Sequence, residues 1–467
     1  MGALRKRFGH RRLISGGGAM NELAELRAGR VRYPGEPGFA AATAPFNKRY
    51  ADLRPAAALS VRGAVDVARA IDWARTEGVR VAVRGGGHSY AGYSAGAELV
   101  LDLRALDDIR VDARSGLVTV GGGTRCGALY SVLQRHDLAF PLGNSDDVGI
   151  GGLVLGGGVA AVSRAFGLTA DALVRTEIVL ADGTIRTCDA TEHADLFWAC
   201  RGGGGGNFGV NTSFTFQARA PRPSATCLVL WEWAHAREVL AILQKIMAAA
   251  PDEFAARIGA SRAGRAAGTV SIVGQHLGTA AELRELLAPA LAAQQPRHCD
   301  IGDRSYWAAK DFLRHETSGD PFAARTRCTA EPLPEAGIET IVAALDRWPG
   351  SGNPDGAGVA LFTWGGAISR IPVADTAFPH RDTLFLISMD TSWSRLDRAR
   401  TVWCNLEWLD GLYAEMGAYA GDGAYVNFTD PSLPHWRSSY YGPNRSRLVE
   451  IKRRYDPDRF FDFPQAL

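Results

Sequence analysis

The stretch that organises this sequence is Val81-Ala-Val-Arg-Gly-Gly-Gly-His-Ser-Tyr90. A short apolar run leads directly into three glycines, and His88 and Ser89 follow them. Glycine adopts positive φ and lets a ligand approach the backbone closely. Consecutive amides in such a turn form a concavity that suits a phosphate. The stretch therefore predicts a phosphate-binding turn at the end of a strand, with His88 at its rim.

The common nucleotide-binding fingerprints do not fit this turn. The dinucleotide fingerprint needs a helix directly after its glycines and an acidic residue about 20 positions later. Here the glycines lead into Tyr90-Ala-Gly-Tyr-Ser-Ala-Gly96, which does not start a helix easily, and GxxxxGK[ST] occurs nowhere in the chain. For this turn alone, a tight bend with a capping histidine is the alternative interpretation.

Two further glycine runs, 143–158 and 202–206, favour the phosphate-binding interpretation over the tight bend. Both are too rich in glycine for a free-standing helix or a core strand. Each of the three runs stands near the end of a predicted strand. We therefore expect all three to surround one long ligand that carries phosphate.

The overall composition is that of a globular protein. The chain has 467 residues, enough for two or three domains, and its hydrophobic content of 46% and charged content of 22% are ordinary. A net charge of +2 gives no reason to expect nucleic acid or a membrane as a partner. No apolar run approaches the roughly 20 residues that a membrane helix needs.

The seven cysteines are scattered and form no CxxC pair. This pattern argues against a disulfide framework and against a zinc site, and we expect no metal. The N-terminal segment is basic and contains Arg11-Arg12, but no apolar segment follows. We therefore expect a tail on a cytoplasmic protein, with export by the twin-arginine route as the alternative. A short helix is predicted over 21–27.

Taken together, the motifs resemble the berberine-bridge-enzyme-like oxidases of the vanillyl-alcohol-oxidase superfamily, which bind FAD. The resemblance covers nearly the whole chain after the first few dozen residues. Besides the first loop, it is carried by Gly149-Ile-Gly-Gly-Leu-Val-Leu-Gly-Gly-Gly158, Asp195-Leu-Phe-Trp-Ala-Cys-Arg-Gly-Gly-Gly204, Tyr425-Val-Asn-Phe-Thr-Asp430 and Tyr440-Tyr-Gly-Pro-Asn444.

The resemblance implies an α+β protein. Residues 1–34 would be an N-terminal tail, and residues 35–222 a PCMH-type FAD-binding domain of two α+β subdomains. The composition changes near Ala220-Pro-Arg-Pro223, where glycine becomes sparser and tryptophan denser. Residues 223–421 would form a substrate-binding domain with an antiparallel sheet flanked by helices. Residues 422–467 would return to the FAD domain.

The resemblance also assigns the cofactor residues. His88 matches the histidine that bonds to the 8α-methyl carbon of the flavin. Ser145 stands where many relatives have a second, cysteine tether, so we expect a single covalent link through His88. The other residues implied in FAD binding are Arg84, Gly85, Gly86, Gly87, Ser89, Gly92, Gly143, Asp147, Val148, Gly151, Gly152, Gly157, Gly158, Val210 (through its backbone, to the adenine), Asn427 and Asn444.

Tyr425 and Asn427 are the catalytic candidates that the resemblance implies. Tyr425 would be a general base, although a phenol with a pKa of about 10 needs help to act near neutrality. The alternative is that Tyr425 only packs on the flavin, and Asn427 would orient it or bind the flavin. Phe428 replaces the second tyrosine of the family motif, which removes a hydroxyl. We interpret Arg381 in Phe378-Pro-His-Arg381 as a structural ion-pair residue.

The expected function is an FAD-dependent oxidase. It would take hydride from an alcohol, amine or activated C–H of a small molecule, such as a secondary-metabolite intermediate, and O2 would become H2O2. One alternative is a flavin-dependent cyclase or rearrangement enzyme with no net oxidation. Another is a binding module without cofactor. The sequence identifies neither the substrate nor the oligomeric state.

Overall fold

The computed structural model describes residues 29–264, 268–314 and 319–467. The helix predicted over 21–27 lies outside these ranges, as does the basic N-terminal segment. Three β-sheets, each with its own helices, form the architecture. Two of them lie within residues 30–217 and the third within 224–392. The predicted α+β class, with an antiparallel sheet in the second half of the chain, is confirmed.

The first sheet has four strands in the order β1-β2-β4-β3. Its strands are β1 (Arg30–Arg32), β2 (Ala57–Ser60), β3 (Val81–Arg84) and β4 (Leu99–Asp102), and its helices are α1 (Phe39–Thr43) and α2 (Ala64–Glu77). The last three strands run parallel, and β1 pairs antiparallel with β2. Because β1 lies in the range that we predicted as a tail, that part of the prediction is wrong.

Helix α2 has apolar residues at helical spacing and buries Val67, Ile71 and Ala74 on one face. It ends at Gly78, which has the left-handed φ of 66° that glycine tolerates. The chain then enters β3, whose last residue is Arg84. The first glycine loop thus leaves the carboxyl end of a parallel strand, where open α/β sheets bind their ligands.

The second sheet is antiparallel, with the strand order β5-β6-β9-β7-β8. Its strands are β5 (Ile109–Asp112), β6 (Leu117–Gly121), β7 (Leu173–Val179), β8 (Ile185–Asp189) and β9 (Val210–Gln217), and its helices are α3 (Cys126–Arg135), α4 (Ile150–Leu155), α5 (Ser163–Phe166) and α6 (Ala194–Ala199). Helix α4 forms within the glycine run where we predicted no free-standing helix. Its buried Ile150, Val154 and Leu155 join the local core, so tertiary packing overrides the low propensity of glycine.

The third sheet has seven antiparallel strands in the order β13-β10-β12-β11-β15-β16-β14. They are β10 (Ser224–Glu232), β11 (Phe254–Arg262), β12 (Thr269–His276), β13 (His298–Arg304), β14 (Phe322–Thr329), β15 (Ala357–Thr363) and β16 (Phe385–Ser392). The helices of this half are α7 (Ala236–Ala249), α8 (Ala280–Ala293), α9 (Tyr306–Phe312), α10 (Glu335–Asp346) and α11 (Ala399–Glu415). Strands β11, β13 and β14 have a weak sequence signal, because they carry arginine, aspartate and alanine instead of a clear run of β-formers.

The two faces of the seven-stranded sheet differ in character. Ile258, Leu361 and Ile387 point to one face and share a core with α7, α8, α10 and α11. Their neighbours Arg257, Phe362 and Leu386 are aligned across β11, β15 and β16 and point to the other face. This second face, which we call the open face, is turned towards the glycine loops.

The end of the chain packs against the first half of the chain. Helices α12 (Trp436–Tyr441) and α13 (Arg445–Tyr455) lead to the C-terminus. The buried Lys452 ammonium donates to the Asn207 carbonyl at 2.6 Å, to the Asp456 carboxylate at 2.6 Å and to the Phe461 carbonyl at 2.8 Å. The backbone N–H of Leu467 donates to the Asn207 side chain. The tail therefore closes onto the third glycine run.

Candidate cofactor and substrate site

The first two glycine runs touch each other through their backbones. A Cβ on Gly86 would lie 2.3 Å from the backbone nitrogen of Gly149, and a Cβ on Gly149 would lie 2.2 Å from that of Gly86. A Cβ on Gly151 would lie 2.9 Å from the carbonyl oxygen of Gly122. Contacts this close exclude any side chain. The segments that we predicted to surround one ligand are therefore adjacent in the fold.

Arg84 places a buried cation beside the first glycine loop. Its side chain is 5% exposed, and within the described residues its Nε and Nη1 have no hydrogen-bond partner. The Asp102 carboxylate is already held by two hydrogen bonds from Arg104. Burial, followed by repulsion from Arg104, lowers the pKa of Arg84 to about 10, so it is still charged at neutral pH. A phosphate is the natural counter-charge for such a guanidinium.

His88 presents a neutral imidazole to the same place. Its ring stacks on Phe46 with centroids 3.5 Å apart and an interplanar angle of 18°. Burial lowers the pKa of His88 to about 4, against a small opposite effect of Asp147. Its Nε2 is buried without a partner among the described residues. A neutral imidazole with a free ring nitrogen is a competent nucleophile.

Helix α4 offers bare backbone on its outer side. Gly152 is exposed, and a Cβ built on it would meet nothing within 4 Å. Gly157 and Gly158 follow with φ of 111° and 80°, which only glycine adopts without strain. An unpartnered buried cation, a neutral imidazole and uncovered glycine backbone together fit a flat cofactor with a pyrophosphate, as FAD is.

The other predicted cofactor residues mostly shape these loops. The Ser89 hydroxyl accepts from the Tyr93 N–H, and the Val148 carbonyl accepts from the Cys126 N–H. Gly92 has a φ of 72°, Gly143 packs near Leu153, and the Asp147 carboxylate pairs with Arg125 at 2.6 Å. Gly85 and Gly87 lie against the Gly122 carbonyl and the Arg84 guanidinium, respectively.

Val210 is a buried residue of β9 aligned with Val179 of β7, and its contact with an adenine stays a prediction.

Asn444 does not lie free to bind a cofactor. Its amide nitrogen donates to the carbonyl oxygens of Val373, Thr376 and Ala377. The side chain is 7% exposed and holds the 373–377 segment in place. The donors of Asn444 are therefore used within the protein, and its predicted contact with the cofactor stays a prediction.

Tyr425 and Asn427 form a short network with the second glycine run. The Tyr425 hydroxyl accepts from the Gly158 N–H at 3.0 Å and from Asn427 Nδ2 at 3.0 Å. Asn427 Nδ2 also lies 2.9 Å from the Leu153 carbonyl. Burial raises the pKa of Tyr425 to about 12 despite these donors. The network fixes Asn427 beside α4, but it leaves Tyr425 a weak candidate for a base near neutrality.

Asp390 is a titratable residue of the site that sequence analysis missed. It lies near the end of β16 on the open face, aligned with Ala324 and Gly358, and is half-buried. Burial raises the pKa of this carboxyl to about 7, and Arg257 lowers it by less. Tyr90 is near enough for its own pKa to be raised by Asp390. The only sequence signal was a charged residue near the end of an apolar strand.

Asn47 is a second residue that the sequence did not single out. Its Nδ2 donates to the Tyr90 carbonyl at 2.8 Å and to the Phe322 carbonyl at 3.1 Å, and its Oδ1 accepts from the Phe322 N–H. It is 2% exposed. Asn47 thus ties the first glycine loop to β14 and sets the distance between the cofactor loop and the open face.

Arg381 is confirmed as a structural ion-pair residue. Its guanidinium donates to both carboxylate oxygens of Asp171, at 2.8 and 2.9 Å, and to the Thr376 hydroxyl. Across the described ranges, no three His, Cys, Asp or Glu side chains are grouped so that they could bind a metal ion. None of the helices in those ranges has the length and apolar character of a membrane span.

Known proteins share this sequence and this fold. Residues 55–189 match the family model described as FAD binding domain, and residues 424–467 match the one described as berberine and berberine like. The chain is 33% identical over 461 residues to the FAD-linked oxidoreductase YvdP of Bacillus subtilis, covering 94% of this chain and 98% of the relative.

Solved structures agree with these matches. BBE-like 1 of Physcomitrella patens superposes with a TM-score of 0.87 at 28% identity, covering 96% of this chain and 98% of the other. The xylooligosaccharide oxidase of Myceliophthora thermophila, solved with xylobiose, gives a TM-score of 0.85 at 25% identity, covering 96% and 98%. The chain therefore belongs to the berberine-bridge-enzyme-like family of FAD-linked oxidoreductases.

Proposed function

We propose that this FAD-linked oxidoreductase is an oxidase acting on an alcohol, an amine or an activated C–H of a small molecule. The substrate loses a hydride and a proton, and O2 takes up both electrons and two protons to give H2O2. FAD, when bound, supplies the hydride acceptor and the reduction of O2. The observation that carries the proposal is the pair of unpartnered buried groups, Arg84 and His88, where the glycine runs meet.

We further propose that FAD is held covalently through His88 alone. The neutral imidazole stacks on Phe46 and has a buried nitrogen without a partner among the described residues. Ser145 offers a hydroxyl where a second tether would need a thiol. Cys126, whose backbone bonds to Val148, has its side chain in the core, and burial raises the pKa of its thiol to about 12. It is therefore a protonated, packed cysteine.

The proton acceptor that the structure favours is Asp390. Burial raises the pKa of its carboxyl to about 7, and the residue stands on the open face. A base with such a pKa is both ionised and strong enough near neutrality. Tyr425 would have to titrate near pH 12, and its hydroxyl oxygen is already bonded to two donors. Asn427 keeps the role of positioning Tyr425 against α4.

Acid precipitation of the purified protein tests the covalent link. The wild-type pellet should be yellow, and the His88→Ala pellet should be colourless while its supernatant carries the flavin. The matched control is His435→Ala, an exposed histidine of the C-terminal segment, which should keep a yellow pellet. A yellow His88→Ala pellet contradicts the assignment.

Product counting tests the reaction class. One equivalent of H2O2 per substrate consumed, with a product two hydrogens lighter, supports the oxidase. Turnover with no H2O2 and no mass change supports the cyclase or rearrangement alternative. A colourless protein that takes up no FAD supports the binding module.

A further inference from the structure

Arg257 lies on the open face, next to the aromatic residues of the site. It is a residue of β11 and aligns with Phe362 of β15. Phe362 meets Phe428 edge to face with centroids 5.8 Å apart, and Phe428 stacks near Tyr90 at 5.2 Å. Phe428 follows Asn427 directly, so Phe362 and Phe428 connect Arg257 to the predicted flavin site.

The guanidinium of Arg257 has no anion of its own. Within the described ranges it forms no ion pair within 4 Å and no hydrogen bond, although it is half-buried. The other half-buried or buried arginines of this sheet are occupied, since Arg325 pairs with Asp410 and Asp430, and Arg327 with Asp422. Removing a charge from water without a partner costs free energy. Because Arg257 differs from these arginines in having no carboxylate partner, we infer that its counter-charge is a negative group of the ligand.

Asp390 is the acidic group that acts on Arg257 from the same face. The register places it two strands away, about 10 Å across the sheet, and four residues further along, about 13 Å. The side chains bring the two charges closer than this backbone separation, since each shifts the pKa of the other, but among the described residues they form no ion pair within 4 Å. We call the space between the two side chains the gap, and a molecule of one or two rings would span it.

Small residues keep this gap open. Gly259, Ala360 and Gly358 lie on the same face between the two charges, by the strand registers. The rim is aromatic, since Tyr90 and Phe322 meet edge to face at 4.8 Å beside Asp390. Aromatic side chains bind flat apolar ligands, and a few polar groups then determine the orientation of the ligand.

We propose that Arg257 binds the carboxylate of an aromatic or alicyclic carboxylic acid and so directs the oxidisable group of that substrate towards Asp390. This proposal adds a substrate class to the proposed oxidase function. The orientation of the substrate towards Asp390 rests on that function. The proposed class departs from an uncharged sugar such as the xylobiose bound by the oxidase from Myceliophthora thermophila. An uncharged sugar offers no negative charge to the Arg257 guanidinium, whereas a carboxylate offers one and pairs with it in the right geometry.

Ligand titration of the yellow holoenzyme tests the proposal without turnover. Benzoate and its uncharged isostere benzamide are titrated at pH 7.5 and constant ionic strength, and binding is followed by calorimetry. The wild type should bind benzoate at least about tenfold more tightly than benzamide. Arg257→Met should weaken benzoate by about tenfold or more and leave benzamide within about twofold. Arg257→Lys should recover part of the preference.

Arg262→Met is the matched control. Arg262 belongs to the same strand, but its side chain pairs with Asp346 at 2.7 Å, so both ligands should bind as in the wild type. Equal binding of benzoate and benzamide by the wild type, or the same loss in both arginine variants, overturns the proposal. The measurement needs no O2, so it is independent of the oxidase reaction. If the protein makes no H2O2 but still prefers benzoate, the oxidase proposal fails and the carboxylate proposal stands.

Discussion

Asp390 and Tyr425 differ in how well each can take a proton. Tyr425 is buried and Asp390 half-buried, and burial raises the pKa of each. Burial makes the carboxyl a better base near neutral pH, because its pKa rises towards 7. It makes the phenol a worse one, because its pKa rises further above 7. The charged and titratable groups acting on Asp390 are Arg257, Asp355 and Tyr90, and Arg257 is the cation among them.

Replacing Asp390 by asparagine should remove the pH dependence of substrate oxidation. In the wild type the rate constant of flavin reduction should rise with pH through a midpoint near 7, because only the ionised carboxyl accepts the proton. Asp390→Asn should be slower by about 100-fold at pH 8 and flat across that range. Stopped-flow reduction under anaerobic conditions measures both. If Tyr425→Phe flattens the profile and Asp390→Asn does not, the base is Tyr425.

The same carboxyl affects stability with a definite sign. Its pKa in the folded protein is above the ordinary value of 3.8. The folded state therefore binds more protons than the unfolded state between about pH 4 and 7, and its contribution to stability is lost as the pH rises through that window. Urea unfolding at pH 5 and 8 should show a smaller loss with pH in Asp390→Asn.

At the scale of elements, the glycine runs serve two different purposes. Gly86 and Gly149 allow two backbone segments to touch, so they maintain the protein itself. Gly152 on α4 touches no protein atom within 4 Å, so its missing side chain leaves room for something else. Composition alone does not distinguish these cases, because Gly149 and Gly152 belong to the same motif.

Two alanine substitutions separate these purposes. Gly149→Ala should destabilise even the cofactor-free protein by about 1–3 kcal/mol, because its Cβ meets backbone at 2.2 Å. Gly152→Ala should leave the cofactor-free protein as stable or up to about 1 kcal/mol more so, since alanine favours the helix. It should nevertheless lower the flavin-to-protein ratio. Thermal unfolding and flavin absorbance measure these effects, and normal flavin content in Gly152→Ala contradicts the placement of the cofactor.

At the scale of the whole molecule, the C-terminal segment closes the FAD-binding half through one buried ion pair. Lys452 and Asp456 are 3% and 1% exposed, and the Asp456 carboxylate also accepts from the N–H groups of Phe460 and Phe461. Burial lowers the pKa of Lys452, and Asp456 opposes that change. The Asn207 carbonyl on the third glycine run completes the contact.

Lys452→Met should destabilise the protein by about 3–5 kcal/mol, because it leaves the Asp456 carboxylate buried and unpaired. The double variant Lys452→Met/Asp456→Asn should recover part of that loss. Urea unfolding followed by tryptophan fluorescence gives both values. An exposed pair, Arg459 and Asp462, provides the control, and Arg459→Met should cost at most about 1 kcal/mol. Equal losses in the two single variants would show that the buried pair has no special role.

The sequence by itself determined the parts of this protein that are local. The glycine runs, the strand before Arg84, the helix over 64–77 and the hairpin over 109–121 follow from neighbouring residues and their periodicity. The tail was predicted too long and α4 was missed, since the packing partners of both lie far away in the chain.

Only the tertiary structure decided what faces the cofactor loops. Arg257 and Asp390 share a face because β15 pairs with both β11 and β16, and no spacing in the chain encodes that register. The tertiary structure also changed the interpretation of Tyr425 and showed that Asn444 donates to protein carbonyls, since burial and hydrogen-bond partners, not residue type, determine which side-chain atoms are free to act. A motif specifies the loop that meets a ligand, but strand pairing specifies the charges around it.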